Sequence, residues 1–286
     1  MSGFSAEWLD LREGADHAAR NAALRESVAR AFADRESLTI VDLACGAGSN
    51  LRGLAEHFPA RQKWLLVDHD PALLAAARAR LAAWADVAEG REILSLAKGA
   101  RRLEAEFRIA DLSGGAGAAL AGETDLVTSA ALLDLVSPQW LDRFAEQIAA
   151  RRLPLYAILS YSGEERWTPP HAADARMLAA FHRHQAGDKG FGPAAGPRAA
   201  GLLAKALERR GYEIVTAPSP WRLGAAEAAL IAALAEGSAA AVAETGEVSA
   251  ETIEDWRRAR RRAAECEIGH SDMFARPKGG RLRAGL

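Results

Sequence analysis

Ten residues, Val41-Asp42-Leu43-Ala44-Cys45-Gly46-Ala47-Gly48-Ser49-Asn50, constrain the fold more than any other stretch of this chain. They follow a compact apolar run, Thr39 to Leu43, that reads as a buried strand, and they open a helical pattern reaching about His57. A strand that turns directly into a helix needs residues that fold back sharply. Glycine does so, and it leaves no Cβ between the backbone and a ligand. Such a unit belongs to sheets of parallel strands covered by helices.

The alternation continues. Trp64 to Val67 reads as a second strand, and the helix after it starts at Pro71, where a missing N–H costs nothing, and runs into the late eighties. Phe107 to Ala110 is a third, weaker strand and Asp125 to Thr128 a fourth, with Pro138 opening the next helix. Leu155 to Leu159 is a fifth strand. A helix from Ala199 to Arg210 stops at Gly211, and Tyr212 to Thr216 is a sixth strand. Helices at Ala225 to Ala243 and Ala250 to Ala264 precede a last strand, Glu267 to Phe274. The expectation is an α/β fold with a mostly parallel sheet and helices on both faces, whose ligand lies beyond the carboxyl ends of the strands.

Three more segments fall at those ends. Val67-Asp68-His69-Asp70-Pro71 places an acid about 20 residues past the glycines, where a carboxylate can accept from ribose hydroxyls, while Asp70 suits a helix cap. Ile109-Ala110-Asp111-Leu112 and Asp125 to Asp134 follow. By itself Asp111 is also ordinary turn chemistry. Together, in this order and spacing, the four segments resemble class I S-adenosylmethionine-dependent methyltransferases, whose first motif is roughly acidic-x-x-x-Gly-x-Gly. Asp42, Gly46 and Gly48 fill those positions.

The resemblance implies a Rossmann-like seven-stranded sheet of order 3-2-1-4-5-7-6 with the last strand antiparallel, and S-adenosylmethionine as cofactor with S-adenosylhomocysteine as product. Asp42, Ala44, Cys45, Gly46, Gly48 and Asn50 would surround the methionine part, with Asp68 on the ribose. His69 would line the adenine through its backbone, Asp111 and Leu112 would meet the adenine, and Ser129 and Ala130 would pass beneath the methionine arm. The motifs cover about residues 38 to 160. The two helices between the sixth and seventh strands depart from the family's pattern. A nicotinamide-dependent oxidoreductase is the main rival, but its fingerprint would put a third glycine at Leu51. A non-catalytic cofactor-binding protein and a nucleic-acid methyltransferase are further alternatives.

The formal net charge of −2 and pI of about 6.4 give no support for duplex binding, and Ala131-Leu132-Leu133-Asp134-Leu135 lacks the Asn/Asp-Pro-Pro-aromatic motif of base-amine methyltransferases. A small-molecule acceptor is expected, with no nucleic acid and no membrane. Arg257 to Arg262 reads as a solvated helix face and Arg276 to Arg283 as a mobile end. Cys45 and Cys266 suggest neither disulfide nor metal site. No signal peptide and no run of about 18 uninterrupted apolar residues is visible, so a cytoplasmic location is expected.

Residues 1–36 are expected to form an N-terminal helical lid and 37–286 the main domain, with a lid or substrate insertion at 163–197 and a helical insertion at 224–265. Methyl transfer needs alignment more than a fixed catalytic set. His182 and His184, with Tyr161 as an orienting group, are candidate proton acceptors. Asp134, Asp188 and Lys189 are substrate candidates, with Arg12, Asp16, His17 and Arg20. The last four, with Asn21, recur at near-helical spacing, either as a polar face over the site or as the charged outside of an amphipathic helix. The Gly187 to Pro193 loop could close over a ligand.

Overall fold

The computed structural model describes residues 4–279. Two helices come first, α1 (Ala6–Ala19) and α2 (Ala22–Ala31). Ser5 and Asn21 cap them, accepting from Trp8 N (3.2 Å) and Leu24 N (3.0 Å). Then β1 (Ser37–Leu43), α3 (Ser49–Leu54), β2 (Arg61–Asp68) and α4 (Pro71–Trp84) alternate. Asp70 caps α4, its Oδ1 accepting from Ala72 N at 2.7 Å. A hairpin of β3 (Val87–Glu89) and β4 (Leu94–Lys98) leads into β5 (Arg101–Ile109), followed by β6 (Leu126–Ala130) and α5 (Pro138–Ala150). The remaining elements are β7 (Leu155–Thr168), α6 (Asp174–Gln185), α7 (Ala199–Glu208), β8 (Tyr212–Pro218), β9 (Trp221–Leu223), α8 (Ala228–Thr245), α9 (Ala250–Arg260) and β10 (Glu265–Pro277).

The strands order as β3-β4-β5-β2-β1-β6-β7-β10-β8. Apart from the β3–β4 hairpin this is the 3-2-1-4-5-7-6 sheet of the class I methyltransferase fold, with β10 antiparallel to both neighbours. The helices α8 and α9 do not disturb it, because β10 returns along the whole of β7 before reaching β8. Apolar layers fill both faces, Phe32, Leu54, Phe58 and Trp64 on one and Trp140, Phe144, Leu207 and Tyr212 on the other.

Several expectations are corrected. The third strand is longer than Phe107 to Ala110 and carries an unforeseen hairpin. Its alternation, Leu103 and Ala105 inward with Arg102, Glu104 and Glu106 exposed, is that of a strand with one wet face. The fifth strand does not stop at Leu159. It continues to Thr168 as an arm paired with β10, His270 opposite Tyr161 and Glu265 opposite Thr168, so the stretch 163–197 begins as sheet. Leu159 bends there with φ of 56°, where the pairing register shifts. The helix after Pro71 ends at Trp84, short of the late eighties.

The stretch Ala225–Thr245 is, by length and composition, apolar enough to cross a membrane, although Glu227, Glu236 and Ser238 interrupt its apolar run. Leu230, Ile231, Ala235, Ala239 and Val242 form its buried side, and alanine supplies most of the rest. Of the basic tail, Arg276 to Gly279 are described, with Arg276 in β10; the remainder lies outside the described residues.

Candidate functional site

The glycine turn sits where β1 meets α3. Gly46 and Gly48 take left-handed backbone, φ 52° and 74°, and so does Ala44 at 53°. Two contacts tie the turn to β2. Cys45 N donates to Val67 O (3.0 Å) and Gly46 N donates to Asp68 Oδ2 (2.8 Å). Asp68 Oδ1 accepts from Asp70 N at 3.0 Å, so this buried carboxylate braces both loops. A carboxylate oxygen has two acceptor directions, which leaves one on each for a ligand.

Asp42 is wholly buried one residue before the end of β1, opposite Thr128 of β6. Its Oδ1 accepts from Asn50 Nδ2 (2.8 Å) and Thr128 Oγ1 (2.9 Å), while Oδ2 has no partner. Burial raises its carboxyl to about 6 despite those two hydrogen bonds. Asn50 Oδ1 and Ser129 Oγ are likewise buried and unpartnered. Unfilled buried polar atoms are costly, and three of them gather at the ends of β1 and β6.

The other sequence candidates divide. His69 is exposed beside Asp68, with Nδ1 3.3 Å from Oδ1. Asp111 is an exposed turn residue held by Ser113 N and Oγ, both at 2.8 Å. Leu112 points into the core and its carbonyl accepts from Trp140 Nε1 (2.6 Å). Ala130 ends β6 partly buried.

α1 lies directly over the turn. A Cβ on Gly46 would be 3.0 Å from Leu9 Cδ1. Glu13 receives both arms of Arg52 (2.7 and 2.8 Å), and Asp10 pairs with Arg80. His17 Nε2 lies 3.0 Å from both Ser49 O and Ser49 Oγ. Burial, then Arg20, lowers the His17 pKa, and a carbonyl can only accept, so Nε2 carries the proton. The polar face of α1 is therefore its inner face. Arg12, Asp16 and Arg20 are buried, and the alternative of a charged outside does not hold for them.

Beyond Ala131, a second group converges from five elements. Arg12 forks onto Asp16 (2.9 and 3.1 Å) and stacks 5.1 Å from the Trp221 ring, whose Nε1 donates to Asp16 (3.0 Å). Buried Asp134 accepts from Gln185 Nε2 (3.1 Å), and burial raises its carboxyl to about 6. Tyr161 donates to Glu165 (2.9 Å) and lies 3.1 Å from His182 Nε2. Burial, then Glu165, pushes the Tyr161 hydroxyl far up, so it stays a donor. His184 turns the other way, to Glu244 of α8 at 3.0 Å, and is not part of this group. Asp188 is a loop staple, its Oδ1 accepting from Gly190 N (2.7 Å) and Gly192 N (2.9 Å), and Lys189 sits in that stapled loop. Gly190 and Gly192 of that loop both take left-handed backbone, φ 97° and 82°.

Sequence reasoning missed His270, Trp221 and Gln185. His270 lies on β10 with its ring 5.0 Å from Trp221 and 6.2 Å from Tyr161. Burial, then Arg12, lowers its pKa to about 4, and Nδ1 faces Ile268 O at 3.1 Å. Its neutral ring thus presents Nε2 as an acceptor, with no hydrogen bond to it among the described residues. Only its pairing with Tyr161, invisible before the β7–β10 arm is known, could have pointed to it.

The sheet order is that of a Rossmann-like α/β fold. No family model matches the sequence, and no curated protein matches it. Among solved structures the chain is similar to a putative methyltransferase from Bacillus halodurans (13% identity, 90% of this chain and 100% of that one, TM-score 0.47). It is similar also to a cyclopropane synthase from Mycobacterium tuberculosis (11%, 89% and 83%, TM-score 0.47). A third is the magnesium protoporphyrin IX methyltransferase of Synechocystis with bound S-adenosylmethionine (13%, 96% and 86%, TM-score 0.45).

Proposed function

We propose that the protein is an S-adenosylmethionine-dependent methyltransferase acting on a small molecule. The observation that carries the reading is the brace between Asp68 and Gly46, set beside unfilled polar atoms of Asp42, Asn50 and Ser129. Asp68 would take the ribose hydroxyls on its free acceptor directions. The backbone around Gly46 and Gly48 would lie against the adenosyl part, and Asp42 with Ser129 would meet the polar methionine end. When bound, this cofactor supplies an electrophilic methyl group on sulfur.

The chain's own residues then bind, orient and exclude water. α1 roofs the turn, and the polar group of Arg12, Asp134, Tyr161 and His270 faces the acceptor side. Tyr161 and His182 remain orienting candidates there. Asp134, its carboxyl raised to about 6, is the better proton acceptor, since Nε2 of His182 already faces Tyr161 and protonation of His270 is disfavoured. The rival nicotinamide reading fits less well, because Leu51 occupies its third glycine position and is wholly buried.

Calorimetry with S-adenosylhomocysteine and with NAD tests the proposal. Binding of the first alone is expected. Asp68→Ala should weaken it by about 1.5–3 kcal/mol per hydrogen bond lost to the charged group. Gly46→Val should abolish it in a folded protein, since the new side chain meets both a left-handed backbone and Leu9. Unchanged affinity in both variants would remove the glycine turn from the site.

A further inference from the structure

A cleft of about 710 Å³ opens between α1–α2 and the β4–β5 hairpin, near the end of the sheet where β5 begins, and His17 and Arg52, which also touch the glycine turn, are among its lining. Arg25, Arg52, Lys98 and Arg101 line it against only two carboxylates, Glu56 and Asp86. Three of the cations are occupied. Arg52 holds Glu13, Lys98 holds Asp86 at 3.0 Å, and Arg101 caps the carbonyls of Ala55 and Glu56. Arg25 has neither ion pair nor hydrogen bond among the described residues, and its Nε is buried.

The wall behind repeats the pattern. Arg20 is 4% exposed, and its Nε and Nη1 have no partner. A Cβ on Gly53, which lines the cleft, would sit 2.8 Å from that Nη1. His57 Nε2 is buried 3.2 Å from Glu56 Oε1, and burial, then Arg25, disfavours its protonation while Glu56 opposes them. Guanidinium nitrogens only donate. Unfilled donors and an unneutralised cation gathered at one cleft call for an oxyanion, the partner that a guanidinium fork fits best.

We propose that this cleft is an anion site that takes the phosphate group of a small molecule with Arg25 as its principal contact. The site is independent of the reading of the glycine turn. Calorimetry at low ionic strength with inorganic phosphate, pyrophosphate and acetate tests it on the full chain. Phosphate and pyrophosphate are expected to bind, acetate at least tenfold more weakly, and added salt should weaken all three. Arg25→Gln should lower phosphate affinity at least tenfold, Lys98→Gln should lower it less, and Lys205→Gln on the distant α7 should leave it unchanged. Melting curves establish that each variant is folded. No phosphate binding by the wild type, equal binding by Arg25→Gln, or acetate binding as well as phosphate overturns the proposal.

Discussion

Ala44 carries the left-handed conformation of the glycine turn without being glycine, at φ 53°. For an L-residue that backbone costs roughly 1–2 kcal/mol, while glycine's freedom in the unfolded chain returns about 0.5–1 kcal/mol of the difference. Ala44→Gly should therefore stabilise the protein by up to about 1 kcal/mol in urea unfolding; a clear destabilisation would mean that the methyl group packs against something essential. Asp134 poses the opposite problem. Burial raises its pKa from 3.8 to about 6, so the folded state holds a proton that the unfolded chain releases. Stability is then lost as pH rises from about 4 to about 6, and the penalty is fully present above that window. Asp134→Asn, which can still accept from Gln185, should raise the melting temperature at pH 8 and change it little at pH 4. If Asp134 serves the acceptor, the same variant loses turnover while gaining stability, a trade expected of buried charge kept for function. Equal melting shifts at both pH values would show that the carboxylate is not the source.

At the level of elements, α1 is a roof fixed by polar pins. The fork of Arg52 on Glu13 is its best-made contact to α3. Glu13→Gln should weaken it by about 1–2 kcal/mol, read as roughly tenfold faster amide exchange across Ala6–Ala19, with β1 and β6 unchanged. Uniform protection would mean that Leu9 and the buried face hold the helix unaided. The elements also show what the sequence makes legible. The glycine turn, Asp68 and the alternation of strands and helices could be read because each rests on local chemistry: apolar runs, a turn that needs glycine, and an acid at a strand end; the order of the strands came with the family resemblance. The arm could not. Ser162-Gly163-Glu164-Glu165-Arg166 looks like a loop because its exposed positions are charged, and only pairing with β10 makes it sheet. His270, Trp221 and Gln185 come from distant elements brought together by that arm, so no spacing along the chain announces them. His184 stands apart from that group because its ring faces Glu244 of α8.

On the scale of the whole molecule, a helical layer of α6, α8 and α9 stands beside the β7–β10 arm, and Arg260 locks it. That side chain is 1% exposed. Its Nε and Nη2 fork onto Asp174 at 3.0 Å each, Nη1 donates to Pro169 O (2.6 Å), and the guanidinium lies 5.9 Å from the Trp167 ring. Trp256 Nε1 also donates to Asp174 (2.8 Å), so one carboxylate ties the start of α6 to two turns of α9. Removing one partner from a buried ion pair typically costs about 3–5 kcal/mol, because the other charge is stranded, whereas replacing both by apolar groups is often nearly neutral. Arg260→Leu should therefore unlock the layer, and Arg260→Leu with Asp174→Leu should recover much of the loss. The pair joins α6 to α9 and makes no hydrogen bond to β1 or β6, so the opening should start in the helices. Amides of Asp174–Gln185 and Ala250–Arg260 should lose protection first, with Ser37–Leu43 and Leu126–Ala130 still protected. Simultaneous loss everywhere would make the layer and the sheet a single cooperative unit. In the local case, and on the proposed function, the turnover of Arg260→Leu should fall while its affinity for S-adenosylhomocysteine holds, because Arg260 and Asp174 make no hydrogen bond to the glycine turn or Asp68.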